Sequence, residues 1–419
     1  MKTKAVRLYG AEDLRLEEFE LPSITDDEIL VKVITDSICM STYKLLKQGI
    51  KHKRCPKDID KNPIIVGHEF AGDIIEVGEK WRKEFKAGEK FAIQPALNYK
   101  GSPATLGYSY QFCGGDSLYA IMPNEVMETG SLLHYNGDSY FNASLAEPMS
   151  CIISAYRATY HNGSNYTHIM GIKEGGSILI LGGAGPMGLG VIEYPLSLPK
   201  KPSRIVVTDV NSERLERAAN LITKEYAKSK GIELIYVNSA KSKDIYQELL
   251  DLTKGNGYDD IFVLAAIKEV AELGDRLLSF DGCLNFFAGP SDSNFKAEIN
   301  LYNCHYASSH ILGTSGATTE DLKEALSLSA QGLIRPSVMI SHIGGLDCVI
   351  ETTKNLVKNP GGKKLIYPQI NMPLTALADF EKLGEKEPLF KELSQICLRH
   401  NGLWNSEAEK KLLKYYKVS

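Results

Sequence analysis

A glycine-rich turn behind a short apolar run constrains the fold of this chain more than any other sequence feature. Residues 178–181 are all apolar, which is typical of a strand buried in a parallel sheet. Three glycines with the spacing Gly-x-Gly-x-x-Gly follow, where bare backbone can approach a pyrophosphate on a helix N-terminus. The predicted nucleotide-binding residues are Gly183, Gly185, Pro186, Met187 and Gly188.

The next predicted strand ends in an acid that suits such a site. This strand covers residues 204–208, and Asp209 follows it. The carboxylate can accept hydrogen bonds from an adenosine ribose and would repel a 2′-phosphate, so NAD(H) is the favoured cofactor. Arg214 is predicted near the adenine or its ribose, and an arginine in this region leaves NADP(H) as an alternative.

A cysteine and a histidine in the N-terminal part of the chain are candidate metal ligands. Cys39 follows the apolar run 29–34, and His68 lies beside Gly67. A thiolate and an imidazole are ligands that zinc prefers. Taken singly, such residues are more often ordinary core side chains. Their occurrence in one chain with a nucleotide-binding turn favours a metal-assisted reaction.

The length and texture of the chain predict two domains. A chain of 419 residues exceeds what one core usually holds. Residues 1–153 are predicted to contain short strands, and residues 154–310 to alternate strands with helices. Residues 311–419 are predicted to contain a mixture of strands and turns followed by a helical tail. The predicted fold is therefore α/β, with a doubly wound Rossmann domain inserted in a mainly β catalytic domain and the active site in the cleft between them. Helical stretches are predicted at 212–230 and 242–254, and a capping box at Ser406 and Glu409.

Composition argues against several classes of function. With 43% hydrophobic residues, 24% charged residues and a net charge of −4, nothing indicates a nucleic-acid or membrane partner. The uncharged run 177–192 is shorter than the roughly 20 residues that span a bilayer. The N-terminus does not resemble a secretory signal, and the dispersed cysteines never form Cys-x-x-Cys, so a cytoplasmic location with reduced thiols is expected.

Several motifs stand out together: Gly67-His68-Glu69-x-x-Gly72, Cys39-Met40-Ser41, Glu147-Pro148, the glycine turn with Asp209, and the phrase at 362–369. In combination they resemble the medium-chain, zinc-dependent alcohol and polyol dehydrogenases. Within that family the phrase at 362–369 and the helical tail are most similar to the L-sorbose 1-phosphate reductases. The resemblance implies that the mainly β domain is GroES-like.

The resemblance also implies a set of zinc ligands. Cys39 and His68 would bind the ion with one acid, and the fourth position would stay open for substrate. Glu147 stands where polyol dehydrogenases of this family have a glutamate ligand. Glu69 is the alternative acid, with a catalytic role in which it moves onto the metal as substrate exchanges. Cys151 is a softer rival ligand.

Other residues follow or depart from the family pattern. Ser41 is implied to relay the proton. Met40 and Thr42 replace the residues that commonly follow the ligand cysteine, so the carboxylate that would orient His68 must be missing or supplied elsewhere. Many relatives carry a four-cysteine lobe, whereas residues 94–116 contain Cys113 alone, so no structural zinc is expected.

The expected reaction is reduction of L-sorbose 1-phosphate by NADH to D-glucitol 6-phosphate, in a homo-oligomer. Other polyol dehydrogenases, such as those for sorbitol or galactitol 1-phosphate, are alternatives. Two further alternatives are a zinc-free quinone or alkene reductase and a non-enzymatic nucleotide-binding protein. A phosphorylated substrate needs cations, and Lys53 and Arg54 in the basic run 51–54 are the candidates. A solvated basic loop is the alternative interpretation of that run.

Overall fold

The computed structural model describes residues 1–358 and 361–418, which form two compact units. The first unit contains residues 1–148, 318–330 and the chain from 340 onward, and the second contains 149–317 and 331–339. The predicted boundaries lay at 153/154 and 310/311, a few residues from these divisions. The second unit interrupts the first, so the predicted α/β class with an inserted doubly wound domain is confirmed.

The strands, in chain order, are β1 Lys2–Gly10, β2 Asp13–Glu20, β3 Ile29–Ile38, β4 Ile64–Ile65, β5 Ala71–Val77, β6 Lys90–Ile93, β7 Tyr119–Met122, β8 Leu132–His134, β9 Tyr160–Asn162, β10 His168–Met170, β11 Ser177–Leu181, β12 Arg204–Asp209, β13 Glu233–Asn238, β14 Tyr258–Val263, β15 Leu278–Phe286, β16 His310–Gly313, β17 Ile340–Gly345, β18 Lys363–Tyr367 and β19 Thr375–Ala376. The α-helices are α1 Met40–Gln48, α2 Asn124–Glu128, α3 Tyr140–Ser144, α4 Ala146–Ala158, α5 Pro186–Glu193, α6 Ser212–Leu221, α7 Lys224–Ser229, α8 Ile245–Leu252, α9 Lys268–Arg276, α10 Leu301–Tyr306, α11 Thr319–Ala330, α12 Val349–Lys354, α13 Phe380–Leu383, α14 Pro388–Arg399 and α15 Ser406–Tyr415.

Strand β3 organises the first unit. The main sheet has the order β19-β17-β18-β3-β5-β6-β8, with β7 also paired to β3, and a smaller sheet has the order β2-β1-β4. Nearly every residue of β3 is buried, which agrees with its run of apolar residues. Strand β18 is antiparallel to β3, with Lys364 opposite Ile38. The C-terminal end of β3 therefore lies beside the start of β18.

Two large apolar clusters lie in the first unit. One contains Val31 and Phe91 among its fully buried members, and the other contains Leu45 of α1 together with Tyr108 and Ile366 of β18. Each fully buried aliphatic or aromatic side chain contributes roughly 1.5–3 kcal/mol. The second core fixes α1 and Tyr108 in place, which matters because the candidate ligand Cys39 directly precedes α1.

The second unit is a parallel sheet of the order β13-β12-β11-β14-β15-β16. Strand β11 lies between β12 and β14, so the strand order reverses at β11. In open parallel sheets, ligands bind beyond the carboxyl ends of the strands at such a switch point. The glycine turn follows β11 at this position.

Local capping changes three predicted helices. The stretch predicted at 212–230 is broken into α6 and α7, because the side chain of Thr223 caps α7 by accepting a hydrogen bond from Tyr226 N. The stretch predicted at 242–254 is shorter, since Asp244 caps α8. The predicted capping box at Ser406 is wrong: Asn405 caps α15. Within the described chain, no helix is long and apolar enough to cross a membrane.

Candidate active site

The two predicted metal ligands, Cys39 and His68, meet in the first unit. Cys39 connects β3 to α1, and His68 and Glu69 lie in the loop between β4 and β5. The Cys39 sulfur, a His68 ring nitrogen and a Glu69 carboxylate oxygen all lie within 4.8 Å of one another. In the part of the chain that the structure describes, this is the one group of three or more such side chains. Sulfur, nitrogen and oxygen donors at this spacing fit a zinc ion.

A glycine with a left-handed backbone shapes the loop that carries His68. Gly67 has φ +92°, and a side chain there would collide with the Asp36 carboxylate and the Asp116 backbone nitrogen. The tight turn directs the next two side chains inward, so that His68 is 5% exposed and Glu69 is 1% exposed. This turn explains why the motif begins with glycine.

Two hydroxyl groups contact the ring of His68. Thr42 Oγ1 lies 3.5 Å from His68 Nδ1, and the Tyr108 hydroxyl lies 3.4 Å from His68 Nε2. Thr42 thus stands beside the ring at the position where the resemblance implied an acid, so a hydroxyl contacts the candidate ligand histidine. Burial lowers the pKa of His68, with Glu69 and Glu147 acting in the opposite direction. The neutral imidazole that a metal requires is therefore favoured.

Sequence reasoning missed a buried lysine beside Glu69. Lys363 Nζ lies 2.5 Å from both carboxylate oxygens of Glu69, and the Ser37 hydroxyl also donates to Glu69. Burial pushes the pKa of Glu69 upward, but the charge and hydrogen bonds of Lys363, together with the charge of His68 and the Ser37 hydrogen bond, lower the net pKa. Burial likewise opposes the charge on Lys363, but Glu69, Cys39 and Glu147 together raise the pKa of the lysine. Both groups are therefore charged, and both oxygens of Glu69 are occupied.

Glu147 belongs electrostatically to the same site. It lies in the first turn of α4. Burial and then the charge of Glu69 raise its pKa to about 7, whereas His68 and Lys363 act in the opposite direction. The rival ligand Cys151 lies one turn later in α4 and is not among the ligand atoms that meet at Cys39.

Ser41 connects Cys39 to Tyr108. The Cys39 sulfur lies 3.6 Å from Ser41 Oγ, and the Ser41 hydroxyl also interacts with the Tyr108 hydroxyl. Burial, and next the charge of Glu69, raise the pKa of the Cys39 thiol. A bound divalent cation would reverse this effect, because a coordinating thiol is deprotonated. The Ser41 hydroxyl is thus placed to exchange a proton near the ligands.

A second feature that sequence reasoning missed is a pair of buried acids behind the loop. Asp36 Oδ1 accepts from Ser37 N at 2.8 Å and from Glu69 N at 3.0 Å, so it anchors the ligand loop. The other oxygen of Asp36 and Oδ1 of Asp116 are buried without a hydrogen-bond donor. Burial, then Asp116, raises the pKa of Asp36, and burial raises the pKa of Asp116 to about 8. An acid inside the buried strand β3 was the sequence signal for this pair.

The two residues predicted to bind a substrate phosphate, Lys53 and Arg54, lie in different surroundings. The guanidinium carbon of Arg54 lies 5.5 Å from the centre of the Tyr108 ring, and the His52 ring stacks on the same ring at 5.5 Å. Lys53 is exposed to solvent. The basic run therefore brings Arg54 to the aromatic ring that contacts His68.

The glycine turn in the second unit has the features of a pyrophosphate site. Gly185 is the N-cap of α5 and supplies no side-chain cap, and Pro186 opens the helix ahead of Met187. A side chain at Gly188 would collide with the backbone of Gly183. The backbone N–H groups at this helix start are therefore accessible to an anion.

Asp209 lies directly against the glycine turn. Its Oδ2 accepts a hydrogen bond from Ala184 N at 3.2 Å, and its Oδ1 accepts from Asn211 N at 3.0 Å. Arg214 donates its backbone N–H to Asn211, and its Nε is buried without a partner. A buried donor without a partner on α6, the helix that follows Asp209, fits a ligand that approaches this end of β12.

Cys113 lies in the apolar core of the first unit, with its sulfur 3.7 Å from that of Met122. A buried cysteine beside methionine is a packing residue. The expectation that the protein has no structural zinc stays a prediction.

Models of two protein families match this chain. The family described as alcohol dehydrogenase GroES-like domain matches residues 25–135, and the family described as zinc-binding dehydrogenase matches residues 200–331. The first match agrees with the GroES-like character predicted for the mainly β domain. The second covers much of the parallel sheet.

Two curated proteins are similar over almost their whole length. A mannitol-1-phosphate 5-dehydrogenase of Aliivibrio fischeri is 52% identical over 421 residues, which cover 100% of this chain and 99% of the relative. An L-sorbose 1-phosphate reductase of Klebsiella pneumoniae is 44% identical over 413 residues, which cover 98% of this chain and 97% of the relative. Among solved structures, the 2R,3R-butanediol dehydrogenase of Bacillus subtilis has a TM-score of 0.71 at 23% identity, with 87% of this chain and 99% of that chain covered. At that identity the likeness concerns the fold alone.

Proposed function

Because this chain belongs to the zinc-type, medium-chain polyol dehydrogenase family, we propose that it uses zinc and NADH to reduce L-sorbose 1-phosphate to D-glucitol 6-phosphate. The observation that carries the proposal is the meeting of the Cys39 sulfur, a His68 nitrogen and a buried carboxylate within 4.8 Å. The two similar curated proteins are named for a polyol phosphate and a sugar phosphate, which supports a phosphorylated substrate.

We propose Glu147 as the third protein ligand of one catalytic zinc. Glu69 has the shorter reach to Cys39 and His68, but Lys363 and Ser37 bond its oxygens. Glu69 would have to leave the lysine in order to bind the ion, so it is the alternative ligand. Glu147 is half-buried in the same electrostatic field, where burial and the charge of Glu69 raise its pKa and the charges of His68 and Lys363 lower it. The donor set of thiolate, imidazole and carboxylate leaves one position open for substrate.

When bound, zinc supplies a Lewis acid for the substrate oxygen and the reduced nicotinamide supplies the hydride. The residues of this chain orient the reactants and move a proton. Thr42 contacts His68, Ser41 beside Cys39 relays the proton, and burial excludes water. In the second unit, the glycine turn holds the pyrophosphate, Asp209 holds the ribose and Arg214 lies along the adenosine.

We propose that the protein works as a homo-oligomer. Strand β16 is the edge of the parallel sheet, and Phe280, Leu301, Tyr302 and Tyr306 expose 65–73% of their surface in this unit. An unpaired edge strand with exposed aromatic residues is typical of a surface that another chain covers. Light scattering of the purified protein should give a multiple of the 46.3 kDa chain mass, and a monomer would refute this proposal.

The central experiment measures NADH oxidation with L-sorbose 1-phosphate and L-sorbose, and NAD+ reduction with galactitol 1-phosphate and sorbitol. Bound zinc per chain is measured in the same samples. We expect one zinc per chain and a clear preference for L-sorbose 1-phosphate. Cys39→Ala should lose both zinc and activity. Cys348→Ala is the matched control, because Cys348 is a half-buried cysteine of the same unit that donates to Gly345 O.

Each rival function has its own outcome in this experiment. Equal rates for L-sorbose and its 1-phosphate would exclude the phosphate claim. Faster turnover of another polyol or polyol phosphate would identify a different member of the family. Zinc-independent reduction of quinones or alkenes would favour the zinc-free reductase, and nucleotide binding without turnover would favour a non-enzymatic protein.

A further inference from the structure

We propose that Arg54 and His52 form an anion site on the ring of Tyr108, and that this site selects sugar phosphates whose phosphate-bearing carbon is next to the reacting carbon. The inference deepens the proposed function and rests on it. It adds which residues recognise the phosphate and which positional class of sugar phosphate fits.

Tyr108 connects the metal-ligand histidine to the basic run. Its side chain is buried, its hydroxyl lies 3.4 Å from His68 Nε2, and its ring centre lies 4.9 Å from that of His68. The same ring carries His52, stacked at 5.5 Å with an interplanar angle of 20°, and has the Arg54 guanidinium carbon at 5.5 Å. A single tyrosine therefore separates the candidate metal site from two potential phosphate donors.

The backbone around Arg54 is fixed, whereas its guanidinium has donors to spare. Ser109 Oγ donates to the carbonyl oxygen of Arg54 at 2.7 Å, which ties the basic run to the Tyr108 segment. No ion pair joins the Arg54 guanidinium to a carboxylate within the described ranges 1–358 and 361–418. The ring beneath it adds a cation–π contact. A planar guanidinium held in this way can bind a phosphate through two parallel hydrogen bonds.

His52 is oriented to act as a neutral donor. Its Nδ1 accepts a hydrogen bond from Arg54 N at 3.3 Å, which leaves the proton of the neutral ring on Nε2. Burial, followed by the charges of Arg54, Lys53 and Lys44, lowers the pKa of His52 to about 4. The histidine thus offers one N–H, and the surrounding lysines add positive potential to the same place.

His68 and Arg54 pack against the same ring, with the imidazole centre 4.9 Å and the guanidinium carbon 5.5 Å from the centre of Tyr108, and this has a consequence for substrate choice. In a 2-ketose 1-phosphate such as L-sorbose 1-phosphate, the carbonyl carbon is bonded to the carbon that carries the phosphate. A mannitol-1-phosphate 5-dehydrogenase, by its name, acts at C5, far along the chain from the phosphate on C1. The two similar proteins therefore differ in the distance between reacting carbon and phosphate. Two groups that share one tyrosine ring fit the shorter distance.

The kinetic test compares L-sorbose 1-phosphate, unphosphorylated L-sorbose and D-fructose 6-phosphate in the wild-type enzyme and in variants. Arg54→Gln should lower kcat/KM for L-sorbose 1-phosphate about 10- to 100-fold, the effect of losing a charged hydrogen bond, and leave L-sorbose within about twofold. Arg54→Lys should retain part of the activity, because lysine keeps the positive charge but lacks the planar guanidinium that donates two parallel hydrogen bonds. Lys61→Gln is the matched control, since it removes the same charge from an exposed position in the neighbouring segment.

A binding measurement separates this inference from the proposed function. Calorimetry with D-glucitol 6-phosphate, D-glucitol and inorganic phosphate needs no turnover. We expect D-glucitol 6-phosphate to bind the wild-type enzyme more tightly than D-glucitol, and Arg54→Gln to remove that difference. If no substrate is turned over but this result holds, the proposed function fails and the anion site stands. The anion site is refuted if Arg54→Gln weakens both polyols equally, and its selectivity is refuted if D-fructose 6-phosphate is preferred over L-sorbose 1-phosphate.

Discussion

Replacing Lys363 with methionine tests how the first unit holds several acids in one buried space. The side chains of Lys363 and Glu69 are 3% and 1% exposed, and the ammonium bonds both carboxylate oxygens. Asp36 and Glu147 lie in the same electrostatic field. Methionine keeps much of the length and apolar surface of the lysine stem but leaves Glu69 without its counter-charge.

The cost of this change follows from burial. Breaking one partner of a buried ion pair costs on the order of 3–5 kcal/mol of unfolding free energy. In the wild-type protein the pKa of Glu69 is lowered, so the contribution of the pair is present above the unfolded pKa of about 4.3 and is lost as pH falls through the folded pKa. Without Lys363, burial would raise that pKa, and ionisation of Glu69 would oppose folding. The difference between variant and wild type should therefore widen as pH rises from about 5 to about 8.

The two tryptophans provide the assay. Trp81 and Trp404 are the only tryptophans of the chain, and both lie in the first unit. Their fluorescence during urea denaturation thus reports unfolding of the unit that contains the ion pair. All samples should contain the same excess of zinc, so that a change in metal content is not mistaken for the loss of the pair.

A double variant provides the control. Lys363→Met combined with Glu69→Gln replaces the pair with two neutral side chains, which should restore much of the stability and remove the added pH dependence. A loss below about 1 kcal/mol for Lys363→Met at pH 8, unchanged at pH 5, would show that Glu69 does not depend on Lys363 for its charge. Our reading of this ion pair would then be wrong.

Two further predictions concern other acids. Asp209→Ala should raise kcat/KM for NADPH relative to NADH by about tenfold or more, because the carboxylate that repels a 2′-phosphate is lost; initial rates with both cofactors test this, and an unchanged ratio would place Asp209 away from the ribose. Burial raises the pKa of Glu409 to about 7, so its contribution to stability is present below the unfolded pKa of about 4.3 and is lost as pH rises through 7, by up to about 3 kcal/mol. Glu409→Gln should flatten the fall in urea stability between about pH 4.5 and pH 7, and an equal fall in both proteins would contradict this assignment.

The parts of the fold that sequence could predict are those that short patterns determine. The glycine turn and Asp209 meet because β11 and β12 are adjacent parallel strands, with Leu181 opposite Thr208. Cys39 follows β3, and Gly67 turns His68 toward it. In each case a residue type at a strand end identifies the position, and the neighbouring strand brings the partner.

The missed residues depend on contacts between distant parts of the chain. Lys363 and Glu69 are 294 positions apart, and the pairing of both β18 and β5 with β3 brings them together. The spacing of Ser406 and Glu409 predicted a local capping box, but Glu409 instead accepts hydrogen bonds from Tyr140 N, Phe141 N and the Tyr367 hydroxyl. The Glu409 carboxylate is used to satisfy the backbone N–H groups at the start of α3. Asn405 can cap α15 in its place.

Charge balance connects the ligand assignment to the phosphate site. Lys363 and Glu69 neutralise each other, so a bound divalent cation would be balanced by the Cys39 thiolate and the Glu147 carboxylate. These charges sum to zero, so the metal site would leave no excess positive charge to bind a substrate phosphate. The phosphate must then find its counter-charge elsewhere in the first unit, and Arg54, beside Tyr108 and without a carboxylate ion pair in the described part of the chain, can supply it. If Glu69 were instead the ligand, Lys363 would be released to bind anions, and Arg54→Gln would affect phosphate recognition far less.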